Sequence, residues 1–187
     1  LHDALPISIC HTIVSKFNDF IGHQNEGLKL HQAIQDKNYE LIAEILADKK
    51  TDPNLRDADN NTPLYYAFKL ENKKIIKALL NHRNIDLNSP LTLELFPVQN
   101  AALFGHHEYL KMLLDTEKVQ LNITDGVGDN ILAYAIYSGS IETVKLLTDN
   151  QKVNLMHRNI FGCNALHLAS MNRQLEIVKL LLKKIDV

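Results

Sequence analysis

Apolar residues recur along this chain with a period of 34 residues. Five segments align without an insertion or a deletion: residues 28–33, 62–67, 96–101, 130–135 and 164–169. The third position of the segment is always apolar, and the sixth is always alanine. The two columns are Leu30, Leu64, Val98, Leu132 and Leu166, and Ala33, Ala67, Ala101, Ala135 and Ala169. Because a fixed period of this length marks a repeat architecture, we expect a stack of similar units.

A second apolar stripe follows each alanine after a short polar break such as Gly139–Ser140. Its members are spaced i, i+3 and i+4, which places them on one face of a helix of about two to three turns. The stripe comprises Ile42, Ile45, Leu46, Ile76, Leu79, Leu80, Leu110, Leu113, Leu114, Val144, Leu147, Val178, Leu181 and Leu182. Turns rich in Asp, Asn and Gly, such as Asp125–Gly128, then separate one unit from the next. Each unit is therefore a helix, a tight turn, a second helix and a hairpin-like loop, which we call a finger.

These units resemble the ankyrin repeat. The resemblance rests on Thr62-Pro63-Leu64, Leu166-His167-Leu168-Ala169, Gly105-His106 and the Asp/Asn-x-x-Gly turns. The tetratricopeptide repeat has the same period, but it lacks the finger, and this chain contains no tryptophan for its signature. The resemblance implies an all-α ankyrin-repeat solenoid of stacked helix-turn-helix units. It implies five repeats, at about residues 28–57, 58–91, 92–125, 126–159 and 160–187.

The third repeat departs furthest from this pattern. Its turn has Leu91 where Asp is expected, Glu94 where Gly is expected, and Phe96 where the second repeat has Thr62. Phenylalanine has no hydroxyl with which to cap a helix N-terminus. We therefore expect a third finger of altered shape and a helix without a hydroxyl cap.

The two ends of the chain differ from the repeats. Residues 9–27 carry apolar residues at helical spacing from Ile9 to Ile21, and we expect a helix that caps the first repeat. Residues 1–8 contain Leu1–Ile7, which matches the translated end of a common sequencing adapter, so we expect an artefact without ordered structure. No polar capping repeat closes the stack, which favours a fragment of a longer repeat protein.

The overall composition excludes several classes of protein. Hydrophobic residues make up 45% and charged residues 22%, as in ordinary globular proteins. A net charge of -2 argues against nucleic acid as the main partner. No apolar run has the length of a membrane-spanning helix, so we expect no membrane insertion. The two cysteines suit a reducing compartment, and we expect a cytoplasmic protein.

Candidate catalytic chemistry is sparse. The chain has no HExxH, GxSxG or Walker A motif, and His106-His107 point in different directions on a helix. Cys163 lies in a finger, where no repeat position supplies a base beside it. The family resemblance implies that His31 and His167 are structural groups that link neighbouring loops. We therefore expect no enzyme activity, no metal and no cofactor.

The resemblance also indicates where a partner protein would bind. In the last three repeats, the finger tips and the exposed side of the first helices carry apolar residues where water contact is expected. The candidate partner-binding residues are Leu93, Leu95, Leu103, Phe104, Val127, Tyr137, Ile160, Phe161 and Met171. Packing under irregular fingers is the alternative explanation for some of them.

These features favour a monomeric protein-binding scaffold or adaptor. Two alternatives remain open from the sequence. One is the substrate-targeting region of a longer enzyme, such as a ubiquitin-ligase receptor or a kinase, and the other is a structural spacer.

Overall fold

The computed structural model of the 187-residue chain describes residues 28–91 and 95–184. The expected artefact at residues 1–8 and the expected capping helix at residues 9–27 lie outside the described residues. The chain divides into two compact units, with the boundary between Ile85 and Asp86. The described residues of both units form helices and loops without a strand.

The first unit contains two helix pairs. Helix α1 covers residues 28–35 of the described chain and is followed by α2, Tyr39–Ala47. The second pair is α3, Pro63–Lys69, and α4, Lys73–Leu80. Helices α2 and α4 pack against each other, so the second helices of the two pairs form one layer.

The second unit contains three helix pairs. Their first helices are α5, Pro97–Leu103; α7, Ile131–Ser138; and α9, Ala165–Met171. Their second helices are α6, His107–Asp115; α8, Ile141–Thr148; and α10, Leu175–Lys184. Helix α7 packs between α5 and α9, and α8 packs between α6 and α10. The predicted all-α repeat architecture is confirmed.

The alanine column explains how closely the first helices approach one another. All five alanines are buried, as are Leu30, Leu64, Val98 and Leu132. Since alanine has almost no side-chain volume, it allows neighbouring helices to pack closely, while the larger residues fill the space between helix layers. The lysines between the stripe positions, Lys111, Lys145 and Lys179, are exposed as predicted.

The last helix pair departs from the predicted burial. Leu166 and Val178 are only half-buried, and Leu182 is exposed, although their equivalents in the preceding pairs are mostly buried. The expectation that Leu182 packs inside the stack was therefore wrong. Helix α10 packs against α8 and α9, and no helix follows it among the described residues.

The tight turn within each pair has a fixed backbone conformation. One residue per turn adopts a left-handed φ of 51° to 72°, and these residues are Lys37, Glu71, Gly105, Gly139 and Arg173. They are 34 residues apart along the chain, so the turn repeats with the helices. Glycine tolerates this conformation without strain, whereas residues with a Cβ do not.

Polar side chains define where the helices begin. Thr62 Oγ1 accepts a hydrogen bond from Tyr65 N, and Ser140 Oγ accepts one from Thr143 N. Asn130 and Asn164 cap α7 and α9 in the same way. Such caps satisfy backbone N–H groups that have no partner inside the helix.

An asparagine ladder joins neighbouring loops of the second unit. Asn122 Nδ2 donates to Lys152 O at 2.9 Å, and its Oδ1 accepts from Asn154 N at 3.0 Å. Asn88 makes the equivalent pair of bonds, 2.8 and 2.7 Å long, to Lys118 O and from Gln120 N. The ladder fixes the spacing of loops that contain no regular secondary structure.

Candidate functional site

The fourth and fifth fingers are each built around one side chain at the start of the turn. Asp125 Oδ1 accepts hydrogen bonds from the backbone N–H groups of Val127 at 2.9 Å and Asp129 at 2.8 Å. Asn159 Oδ1 makes the same two bonds in the fifth finger, to Phe161 N and Cys163 N. This arrangement closes each finger into a tight turn, so the tip residues project from a fixed backbone.

The fourth and fifth fingers are joined to each other by three hydrogen bonds. Ile160 N donates to Val127 O at 3.1 Å, and His157 Nε2 donates to Gly128 O at 2.7 Å. Asn159 Nδ2 donates to Asp129 Oδ1 at 2.8 Å. The backbones of Val127 and Ile160 are consequently held next to each other.

Tyrosines on α7 connect this pair of fingers to the first-helix layer. Tyr134 OH donates to Asp125 Oδ2 at 2.8 Å, and Tyr137 OH donates to Asp129 Oδ2 at 2.5 Å. Burial, together with the bond to Asp129, raises the pKa of Tyr137 above its usual value, so the phenol stays protonated and remains a donor.

Most of the predicted partner-binding residues are exposed. Six of them have between 41% and 72% of their surface accessible, and we call this set the apolar surface: Phe104, Val127, Tyr137, Ile160, Phe161 and Met171. Leu95 and Leu103 are half-buried and contribute only part of their side chains. Leu93 lies outside the described residues.

Contacts between helices and fingers place the apolar surface on one part of the second unit. Val127, Ile160 and Phe161 lie in the paired fingers, and Tyr137 lies on α7 beside them. Phe104 and Met171 lie at the C-terminal ends of α5 and α9, which pack on either side of α7.

The tip of the third finger, residues 92–94, lies outside the described residues, so its altered shape stays a prediction; a backbone hydrogen bond closes the base of the finger. Leu91 N donates to Leu95 O at 2.7 Å, as Asp125 N donates to Asp129 O at 3.1 Å. Leu91 is buried and has no carboxylate for the backbone N–H groups of the finger. The predicted loss of the hydroxyl cap is confirmed, because Phe96 makes no side-chain cap; Gln99 Oε1 instead accepts from Phe96 N at 3.3 Å.

The two histidines singled out from the sequence have different roles. His31 is buried and donates from Nε2 to Asn61 O at 3.1 Å, which confirms a link to the next loop. The loop link predicted for His167 stays a prediction, since the described residues include no loop after α10. His167 is exposed, and its Nδ1 lies 2.5 Å from Asn164 Oδ1. It supports the start of its own helix. The finger-linking residue that the sequence did not reveal is His157.

Two of the equivalent positions of the first unit are charged. Asp59 occupies the finger position of Val127 and Phe161, and Lys69 occupies the helix position of Tyr137 and Met171. Asp59 and Lys69 are both exposed. The same structural positions therefore carry charges in the first unit and apolar groups in the second.

The described residues offer little for catalysis or metal binding. No group of three or more His, Cys, Asp or Glu side chains among them could hold a metal ion. Cys163 is a half-buried free thiol in the fifth finger. Within the described ranges, no helix is both long and apolar enough to span a membrane.

Comparisons with known proteins agree with this architecture. A family sequence model described as ankyrin repeats (3 copies) matches residues 9–90, 30–125 and 98–187. Among solved structures, the chain is similar to the crystal structure of EF0377, an ankyrin repeat protein, with a TM-score of 0.75 and 30% sequence identity. That likeness covers 83% of this chain and 80% of the other. No curated protein sequence matches the chain.

Proposed function

This chain belongs to the ankyrin-repeat family, and on that premise we propose that it is a protein-interaction module that binds a partner through its apolar surface. Proteins of this family are typically non-enzymatic and bind other proteins. The described residues support a scaffold or adaptor role, because their exposed apolar side chains are held on a rigid framework of helices and hydrogen-bonded fingers. The repeat boundaries given above stay a prediction.

The exposure of the apolar surface carries this proposal. Phe104, Ile160, Phe161 and Met171 are each more than 60% exposed, although aromatic and aliphatic side chains gain free energy when they leave water. Clustered apolar residues on a soluble domain commonly mark a protein-binding site. Aromatic and methionine side chains are also enriched at the centres of protein interfaces.

The proposed mechanism is recognition by a pre-organised surface. The bonds between Val127 and Ile160, and between Tyr137 and Asp129, hold the finger tips and α7 in place without a partner. Binding therefore orders few additional groups, and less of the interaction free energy is lost as conformational entropy.

Alanine substitution tests the proposal directly. Phe161→Ala is expected to weaken partner capture at least about fivefold, since truncation of an interface anchor costs more than about 1 kcal/mol. Its effect on the free energy of unfolding should stay within about 0.5 kcal/mol, because the side chain is 72% exposed. Affinity capture with quantitative mass spectrometry and thermal unfolding measure the two effects.

Leu175→Ala provides a matched control. Leu175 is apolar and 63% exposed, but it begins α10 and lies outside the apolar surface. The Leu175→Ala variant should capture the partner as well as the unmodified chain does. Unchanged capture by Phe161→Ala together with a large fall in Tm would show instead that Phe161 has a packing role.

We also propose that the module is a cytoplasmic monomer. The cytoplasmic assignment is supported by the cysteine content, since a chain with two cysteines has no disulfide framework to require an oxidising compartment. Light scattering during size-exclusion chromatography tests the monomeric state, and a concentration-dependent mass would contradict it.

A further inference from the structure

The charges around the apolar surface indicate the chemistry of its partner. We propose, as a refinement that rests on the protein-binding function above, that this surface binds an uncharged peptide segment carrying aromatic and aliphatic side chains. A basic or an acidic segment is the alternative. A charged segment would need charged groups of the second unit that are free to pair with it, whereas an uncharged segment would not.

Asp129 is inaccessible to a basic partner. Only 5% of its surface is exposed, and both carboxylate oxygens accept hydrogen bonds from within the protein. Asn159 Nδ2 lies 2.8 Å from Oδ1, and Tyr137 OH lies 2.5 Å from Oδ2. A lysine or arginine of the partner would have to displace these donors before it could form an ion pair, and the exchange would give little net gain.

Asp125 is engaged in a similar way. Its Oδ1 accepts from two backbone N–H groups of its own finger, and its Oδ2 accepts from Tyr134 OH at 2.8 Å. These bonds hold the finger closed. A partner cation that competed for the carboxylate would loosen the turn that presents Val127.

Among the described residues of the paired fingers, α7 and α9, few cations are available to an acidic partner. Arg158 Nη1 donates to Gly162 O at 2.7 Å, which directs this guanidinium to the backbone of its own finger. Arg173 is exposed at the turn after α9, at the edge of the apolar surface beyond Met171. A charge at the edge is typical of the polar rim of an interface and contributes less than its apolar centre.

The comparison between the two units supports an apolar partner. The first unit places Asp59 and Lys69 where the second has Phe161 and Met171, so this repeat framework accepts charges at both positions. The apolar residues of the second unit are therefore not required by the fold at these positions. Their common chemistry complements a segment without charge.

Peptide-display selection tests this inference on the whole chain. A library of short random peptides is selected on the immobilised protein, and the affinities of the enriched peptides are measured by fluorescence anisotropy. We expect enrichment of Phe, Leu, Met or Trp without an excess of charged residues. Affinity should change less than about twofold between about 0.05 M and about 0.5 M NaCl, because salt screens only charge interactions.

Aspartate substitutions, which copy Asp59 of the first unit, supply the matched variants. Phe161→Asp should reduce affinity for the enriched peptides more than about tenfold, since it places a charge in the contact. Leu175→Asp carries the same new charge outside the apolar surface and should change affinity less than about twofold. Circular dichroism should show that both variants keep the helix content and Tm of the unmodified chain.

The possible results separate this inference from the proposed function. Enriched peptides that are rich in lysine or in glutamate, that lose affinity in salt and that depend on Phe161 would overturn the inference and leave the proposed function standing. Peptides that bind equally to the unmodified chain and to Phe161→Asp would overturn both, as would a selection without any enrichment.

Discussion

The left-handed turn between α7 and α8 gives a quantitative test of the repeat geometry. Gly139 has a φ of 72°, and a Cβ added there would lie 3.5 Å from Gln174 Nε2, an ordinary contact. Gly139→Ala therefore isolates the backbone cost of about 1–2 kcal/mol. The lower conformational freedom of alanine in the unfolded chain offsets about 0.5–1 kcal/mol of that cost. We expect the free energy of unfolding to fall by about 1 kcal/mol and Tm by about 2–4 °C.

Urea and thermal unfolding followed by circular dichroism measure this effect. Gly126→Ala is the matched control, because Gly126 has no left-handed φ and an added Cβ would meet nothing within 4 Å. That control should leave stability unchanged or raise it by about 0.5 kcal/mol. Arg173, with a φ of 57°, gives the reverse test: Arg173→Gly should stabilise the protein, whereas Arg173→Ala should not. Equal effects of Gly139→Ala and Gly126→Ala would refute the reasoning.

Three further predictions concern hydrogen bonds. Tyr137→Phe should lower the free energy of unfolding by about 1.5–3 kcal/mol in urea titrations, because the buried Asp129 loses a donor; an unchanged midpoint would contradict the bond's role. Asn122→Ala should lower the free energy of unfolding by about 1–2 kcal/mol in the same titrations, because the side chain of Asn122 no longer makes its two hydrogen bonds to backbone groups. A loss no larger than that caused by alanine at an exposed residue without such bonds would count against the ladder. Burial raises the pKa of Asp57, but the hydrogen bonds from Tyr66 and from Asn61 N together lower it by more, so the folded pKa lies below the usual value. The contribution of Asp57 to the free energy of unfolding is therefore present above its unfolded pKa and disappears as pH falls through its folded pKa. Because Tyr66→Phe removes one of the bonds that lower this pKa, the variant should lose less stability than the unmodified chain between about pH 5 and pH 2.

The periodic pattern predicted the helices and the core because those features repeat in every unit. An alanine every 34 residues and a stripe spaced i, i+3 and i+4 report one packing arrangement several times over. The bond from His31 to Asn61 O was expected from the family resemblance rather than from this periodicity, because only two of the five repeats have histidine at that position. The pattern failed at Leu182, where burial depends on a neighbouring helix rather than on the residue itself.

Two of the contacts that shape the candidate site occur once among the described residues and leave no periodic signal. The bond from Tyr137 to Asp129 needs a tyrosine and a buried carboxylate eight positions apart, a combination that the other fingers lack. The bond from His157 to Gly128 O depends on the close approach of two fingers. The sequence could identify Tyr137 as a surface position, but not that its hydroxyl is directed into the protein.

Site-specific photo-crosslinking tests the central claim, that the apolar surface is where a partner protein binds. Benzoylphenylalanine is introduced in place of Phe161, and in a second sample in place of Lys111, an exposed residue on α6 outside the surface. The account predicts that the probe at position 161 crosslinks a discrete partner protein, whereas the probe at position 111 does not. Crosslinking of the same partner from position 111, with none from position 161, would contradict it.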